Sequence, residues 1–179
     1  NLFIGRVNRE QTDYDLTTIR MPEAQSAAPM ASDPAYVFSE THETWINLTR
    51  DFSTDAYMYT LSAEAPGGNR RILASRADGR EAFVPLTPED WVVSSLEGVF
   101  EEAGRVYFTG SSNTPLEKHL FAVPIDGGDP VQLTDPGKSW SVTLAPDGKS
   151  FVGTSSSPTQ PPQTGLYRIH TVKSEAELD

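Results

Sequence analysis

One phrase is written twice in this chain, and the spacing between its copies limits what the chain can fold into. "RADGREAFVPLT" runs from Arg76 to Thr87, and "PIDGGDPVQLT" from Pro124 to Thr134. Asp78-Gly79 returns at Asp126-Gly127, 48 positions on, and Leu86-Thr87 returns at Leu133-Thr134, 47 on. Tyr59 and Tyr107 each precede their Asp-Gly by 19 positions, and Trp91 and Trp140 stand 49 apart. A third copy aligns on its turn. "STDAYMYTLS", "EAGRVYFTGS" and "APDGKSFVGT" place Tyr59, Tyr107 and Phe151 in one register. "RRILAS", "KHLFAV" and "GLYRIH" then align as the next strand, with Ile72, Leu120 and Leu166 expected to be equivalent and His119 matched to Arg71 and Gly165.

Each unit reads as turn, strand, loop, strand, Asp-Gly turn, strand. Asp-Gly between short alternating runs signals a hairpin, because both residues tolerate positive φ. "VYFTGS" and "HLFAVPI" are rich in β-branched and aromatic residues. No apolar stripe of helical period runs for three turns, save a stub at "SEAELD". The class is therefore all-β, and a period near 48 with four short antiparallel strands per unit is the pattern of β-propeller blades. Three blades are expected, at about 40–85, 86–133 and 134–172. Residues 1–39 read as the end of an earlier blade, with strands "LFIGRV" and "YDLTTIR" and a Pro/Ala/Ser loop. Residues 173–179 read as a linker. About three and a half blades do not close a ring, so an incomplete propeller, excised from a longer protein, is expected. Its open edges offer a route to self-association.

Composition narrows function. The formal net charge of -11 supplies no basic footprint for nucleic acid. No run of about 18 apolar residues marks a membrane span. The chain has no cysteine, which excludes disulfides and thiol catalysis. No cofactor motif and no metal-ligand spacing is read. His42, His119 and His170 are too far apart in sequence for a His-x-x-x-His pair. "GKSWS" (Gly137 to Ser141) lacks the last glycine of a nucleophile elbow and falls at an inter-blade loop. Glu101-Glu102 reads as a solvated turn, and Asp126 to Asp129 as a hairpin rather than a calcium loop. Asn47-Leu48-Thr49 fits a glycosylation acceptor. The tryptophans Trp45, Trp91 and Trp140 recur near blade starts and read as core. "TSSSPTQPPQTG" reads as a Pro-rich loop between two strands.

The run from "VYFTGSSNTPLEKHLFAVPIDGGDPVQLT" to "SWSVTLAPDGKSFVGTSSSPTQPPQTGLYRI" resembles the last blades of the N-terminal β-propeller of the dipeptidyl peptidase IV family of serine peptidases. "RVNREQTDYDL" is similar to that family's Asn-Arg-x-Gln strand, and "PEDWVV" to its Gly-Asp-Trp-x-Val blade entry with Glu in place of Gly. Asn113 to Leu120 is the most specific part. "SAEAPGGNRRILAS" departs from the family's Ser-Glu-Arg-x-Gly pattern. The resemblance implies a parent enzyme that takes peptide substrates and releases N-terminal di- or tripeptides. It implies an α/β-hydrolase domain in the same protein that carries the catalytic Ser, Asp and His, and it favours a periplasmic or secreted location. No catalytic residue carries over to this chain. Arg50, in "WINLTRDF", is the candidate substrate-binding residue. The alternative reading is a non-enzymatic TolB-like propeller that serves as a protein-binding scaffold.

Overall fold

A computed structural model describes residues 2–19, 35–44, 46, 52–54, 56–62, 69–77, 81–112 and 114–170. These form fourteen strands, and no helix occurs among the described residues. The strands are β1 Leu2–Val7, β2 Asp13–Ile19, β3 Ala35–Thr41, β4 Phe52–Ser53, β5 Tyr57–Ser62, β6 Arg71–Arg76, β7 Val84–Pro85, β8 Val92–Phe100, β9 Arg105–Ser111, β10 His119–Pro124, β11 Val131–Gln132, β12 Ser139–Leu144, β13 Ser150–Ser157 and β14 Gln160–Arg168. All pairings are antiparallel between chain neighbours. The sheets are β1-β2-β3, β4-β5-β6-β7, β8-β9-β10-β11 and β12-β13-β14. These serial antiparallel sheets are the blades of an incomplete β-propeller. The chain divides into two compact units, residues 1–91 and 92–179.

In the first unit, strand alternation sorts the residues of β2. Tyr14, Leu16 and Thr18 are buried, while Asp13, Asp15 and Thr17 on the other face stay partly in water. Tyr14 and Leu16 form one core with Ile46 and Met58, joined by Phe3, Phe38 and Phe83. A buried hydrogen bond from Ser62 Oγ to Glu40 Oε1 (3.1 Å) ties β5 to β3.

In the second unit, β9 and β10 are buried along nearly their whole length. That is the reason "VYFTG" and "HLFAV" read as continuous apolar runs rather than alternating ones. One face of this pair, Tyr107, Leu120 and Ala122, packs with Trp140 and Phe151 of the next sheet. Tyr167 completes the cluster, edge-on to Trp140 at 5.2 Å and stacked on Phe151 at 5.1 Å. Each such aromatic pair adds about 1 kcal/mol beyond the area it buries. Gly153 permits this packing: a Cβ there would lie 2.9 Å from the Phe151 ring and 3.1 Å from that of Trp140.

The register corrects one expected alignment. Tyr59 opposes Ala74, Tyr107 opposes Ala122 and Phe151 opposes Tyr167. Leu61–Ile72 and Thr109–Leu120 are then matched by Gly153–Gly165. The third equivalent of Ile72 and Leu120 is Gly165, not Leu166, and that of His119 is Thr164, not Gly165. Ile72 and Leu120 are 0% exposed, whereas Leu166 is 77% exposed. A slip of one residue moves a strand's whole side-chain set to the opposite face.

Three further expectations change. Asn8 to Gln11 is not strand but the turn joining β1 to β2, with Gln11 at φ 59. The Pro-rich stretch is not a loop: β13 and β14 continue through it and leave only residues 158 and 159 as the turn. Pro161 and Pro162 fall at the irregularity between the Ser155–Gln163 and Ser157–Gln160 pairs, so neither occupies a paired position of the ladder. In the described turns at Ala103-Gly104, Asp126-Gly127 and Asp147-Gly148, only glycine has positive φ. Gly104, Gly127 and Gly148, at φ 61, 88 and 65, each donate an N–H to the carbonyl three residues back. At Gly104 and Gly148 this is a tight turn followed by a left-handed glycine, the form of a three-residue hairpin loop, whereas Gly127 lies in the longer connection from Pro124 to Val131. The first Asp-Gly, the loop at 21–34 and the tail at 171–179 lie outside the described residues.

Candidate functional site

Arg50, the expected substrate contact, lies outside the described residues, as do Trp45 and the Asn47–Thr49 triplet. Glu101 and Glu102 are exposed in the turn that Gly104 closes. Trp140 is 3% exposed and belongs to the core. Ser139 and Ser141 of "GKSWS" stand on β12, and Ser141 is exposed. His42 follows β3 and faces Thr44 Oγ1 at 3.1 Å, while His170 is exposed beyond β14. Among the described residues no three His, Cys, Asp or Glu side chains gather as a metal site.

The repeated Leu-Thr has a defined task. Leu86 N–H donates to Ile72 O (2.7 Å), and Thr87 Oγ1 accepts Ile72 N–H (3.1 Å). Leu133 N–H donates to Leu120 O (2.8 Å), and Thr134 Oγ1 accepts Leu120 N–H (3.2 Å). In each sheet the short last strand is thus prolonged by one backbone and one side-chain hydrogen bond. Both threonines are buried, so neither group on the third strand is left unpaired. The residue before the paired position grips the same threonine. Arg71 Nε and Nη2 donate to Thr87 O at 3.0 and 2.8 Å, and His119 Nδ1 meets Thr134 Oγ1 at 3.1 Å.

At His119 this grip widens into a polar joint. Its Nε2 meets Glu117 Oε2 at 3.1 Å, and that oxygen also accepts Gly137 N–H at 2.9 Å. Thr134 Oγ1 is already the acceptor for Leu120 N–H, so its own proton is directed at His119 Nδ1. The network therefore fits the tautomer with the proton on Nε2, donated to Glu117. Trp140 N–H donates to Lys118 O (2.7 Å), and Trp140 Nε1–H donates to Asp135 O (3.1 Å). Glu117, Lys118 and His119 together fasten the β9–β10 loop to the segment that leads into β12. The Gly137 amide, and after it the His119 hydrogen bond, hold the Glu117 carboxyl below its ordinary pKa. From sequence, His119 could be placed on a strand, but not its partners. Thr134 was visible only as a repeat mark, and Gly137 and Glu117 meet across 20 residues.

A second polar assembly lies on the outward face of β1-β2-β3. Arg6, Asn8, Asp13, Asp15, Ser39 and Thr41 line an open cleft of about 360 Å³. Asn8 Oδ1 accepts the N–H groups of Thr12 and Asp13 at 2.8 and 3.1 Å. Asp13 accepts from Asn8 Nδ2 (2.6 Å) and Thr41 Oγ1 (3.0 Å), and Asp15 from Ser39 Oγ (2.9 Å). The Asn8–Gln11 turn is thus pinned to its own hairpin by a side chain.

Comparison with known proteins places these blades. The chain is similar to dipeptidyl peptidase 8 of Mus musculus, with 24% identity over 175 residues covering 80% of this chain and 20% of that protein. It is 23% identical over 147 residues to a probable dipeptidyl peptidase 4 of Aspergillus flavus, covering 81% of this chain and 16% of the relative. A stretch of 56 residues, 31% of this chain and 6% of the relative, is 38% identical to a probable dipeptidyl-aminopeptidase B of Aspergillus clavatus. The chain therefore spans a fifth or less of the length of these relatives. The family model described as the dipeptidyl peptidase IV (DPP IV) N-terminal region matches residues 1–162, so the chain belongs to that family.

Proposed function

We propose that this chain is the non-catalytic, access-shaping part of a dipeptidyl peptidase IV-like serine exopeptidase. In this reading the same polypeptide carries an α/β-hydrolase domain that releases N-terminal di- or tripeptides from peptide substrates. The observation that carries the reading is the family match over residues 1–162, on a chain whose sheets follow one another as blades. The burial of His119 supports it: the imidazole and its Thr134 partner are 5% and 6% exposed, closed off from a substrate. Arg50 is the proposed substrate contact within the chain.

Assay of this chain beside the full-length protein on a Gly-Pro chromogenic substrate tests the reading. Cleavage by the full-length protein and none by residues 1–179 is expected, and turnover by the isolated chain would refute it. In the full-length enzyme, Arg50→Ala is expected to raise KM about tenfold with kcat little changed, as for one lost hydrogen bond to a charged group. Unchanged kinetics would remove Arg50 from the site.

A further inference from the structure

Among the described residues, Gln11 is the one non-glycine residue in the left-handed region, at φ 59. That conformation costs free energy and persists only where the surroundings impose it. Here they impose it from two sides. Asn8 accepts the Gln11 N–H through its carbonyl (3.1 Å), and the Thr12 and Asp13 N–H groups through Oδ1 (2.8 and 3.1 Å). From the other side, Ile46 N–H donates to Gln11 O (2.6 Å) and His42 N–H to Thr12 O (2.7 Å). Ile46 is itself buried in the core with Tyr14, Leu16 and Met58. The turns at Gly104 and Gly148 reach a similar φ with a glycine, so a reversal of the chain does not by itself call for this bracing.

What the bracing fixes is the tip. Arg9, Glu10 and Gln11 are exposed there. Glu10 is drawn back to Asn8 Nδ2 (3.4 Å), and the Arg9 side chain makes no hydrogen bond or ion pair among the described residues. The chain holds 25 Asp and Glu against 14 Lys and Arg, yet this guanidinium is left with its N–H donors open. The 42–46 segment that the turn clamps leads in sequence toward Arg50, the substrate contact proposed above.

We propose that Arg9 is a second contact for the peptide substrate, a specificity-determining residue whose guanidinium takes main-chain carbonyls beyond the residues released. The proposal rests on the exopeptidase reading and deepens it. A planar fork of donors suits neighbouring carbonyl oxygens, and a braced backbone loses little entropy in presenting it. Glu10 at the tip and Glu43 beside His42 are exposed and repel a carboxylate, so a neutral carbonyl is the fitting ligand.

Steady-state kinetics of the full-length protein test this with two substrates, a Gly-Pro chromogenic compound and an octapeptide beginning Gly-Pro. Only the octapeptide extends past the cut bond and offers those carbonyls. Arg9→Ala is expected to raise KM for the octapeptide about tenfold with kcat little changed, and to leave both constants for the chromogenic compound as they were. Arg9→Lys keeps the charge without the fork and is expected to recover part of that loss. Lys149→Ala, which removes an exposed cation from another turn, is expected to change neither substrate. An octapeptide KM that Arg9→Ala does not move overturns the proposal. So does an equal change on both substrates, which would mark a structural role for the turn. Cleavage of the chromogenic compound by the natural full-length protein separates the two readings. With it, only the role of Arg9 is in question; without it, the exopeptidase reading and this one fall together.

Discussion

Thr134 gives a single hydroxyl two buried partners, the Leu120 amide and the His119 ring. Thr134→Val keeps the shape and strands both, so we expect a loss of about 1–3 kcal/mol in urea unfolding. Thr134→Ser, which keeps the oxygen, is expected to retain most of the stability; equal losses would show that the hydroxyl is not what matters. Glu117 makes a prediction in pH. Its pKa is lowered in the fold by the Gly137 amide and then by His119. A lowered carboxyl contributes stability that is fully present above its unfolded value, about 4.3, and is lost as pH falls through the folded value. Unfolding measured from pH 6 downward should therefore steepen below about pH 4.3 in the natural chain. Glu117→Gln still has a carbonyl oxygen to accept Gly137 N–H but no titration, so its curve should be flatter there. Identical curves would show that this carboxylate does not link to folding.

The glycine of each three-residue hairpin loop is required by its backbone, but the surroundings differ from turn to turn. At Gly104 (φ +61) a Cβ would meet nothing within 4 Å, whereas at Gly148 (φ +65) it would stand 2.6 Å from the Phe100 ring. Gly104→Ala is expected to cost about 1–2 kcal/mol for the left-handed conformation alone. Gly148→Ala is expected to cost about 2–5 kcal/mol, because overpacking adds to the same strain. Similar melting shifts for the two variants would argue against the close approach of Phe100. The register of β14 is tested by the same reasoning. Leu166→Ala should lie within about 0.5 kcal/mol of the natural chain, and Leu120→Ala should cost about 2–5 kcal/mol. A comparable loss at both positions would restore the alignment read from the sequence. That alignment failed because "GLYRIH" offers Leu166 and Tyr167 side by side, and either could serve as the inward residue. The stacking of Tyr167 on Phe151 and its edge contact with Trp140 decide it.

At the scale of the molecule, an antiparallel meander keeps partners close in sequence, and that makes the repeat legible. Every strand pairs with its chain neighbour, so turns, strands and closing Leu-Thr recur at one interval. The polar joint at Glu117, His119, Thr134 and Gly137 was not legible, because it links a loop of one sheet to the lead-in of the next. The cleft at Arg6, Asn8, Asp13 and Asp15 was hidden for another reason: the family resemblance reads Asn8 to Gln11 as strand, whereas the backbone turns there and the Asn8 side chain, bonded to the Thr12 and Asp13 amides, holds the turn. Val152 and Leu166, paired across β13 and β14, are 48% and 77% exposed. Their counterparts in the preceding sheet, Phe108 and Phe121, are stacked at 5.4 Å and almost fully buried. An apolar pair left in water on the last sheet accords with the reading that these blades belong to a larger propeller.

The sequence by itself determined the all-β class, the interval of the blades and the turns marked by a repeated glycine, and its phrases carried the resemblance to the family. The first three rest on local chemistry: alternation along a strand, glycine at a left-handed turn, and strands that pair with their nearest neighbour. Tertiary structure alone decided which face of β14 is inward, why Leu-Thr is repeated, and which groups surround His119. Each of those depends on atoms from separate strands meeting in a buried space, where one residue of register turns a side chain from core to solvent and an unpaired amide would be costly.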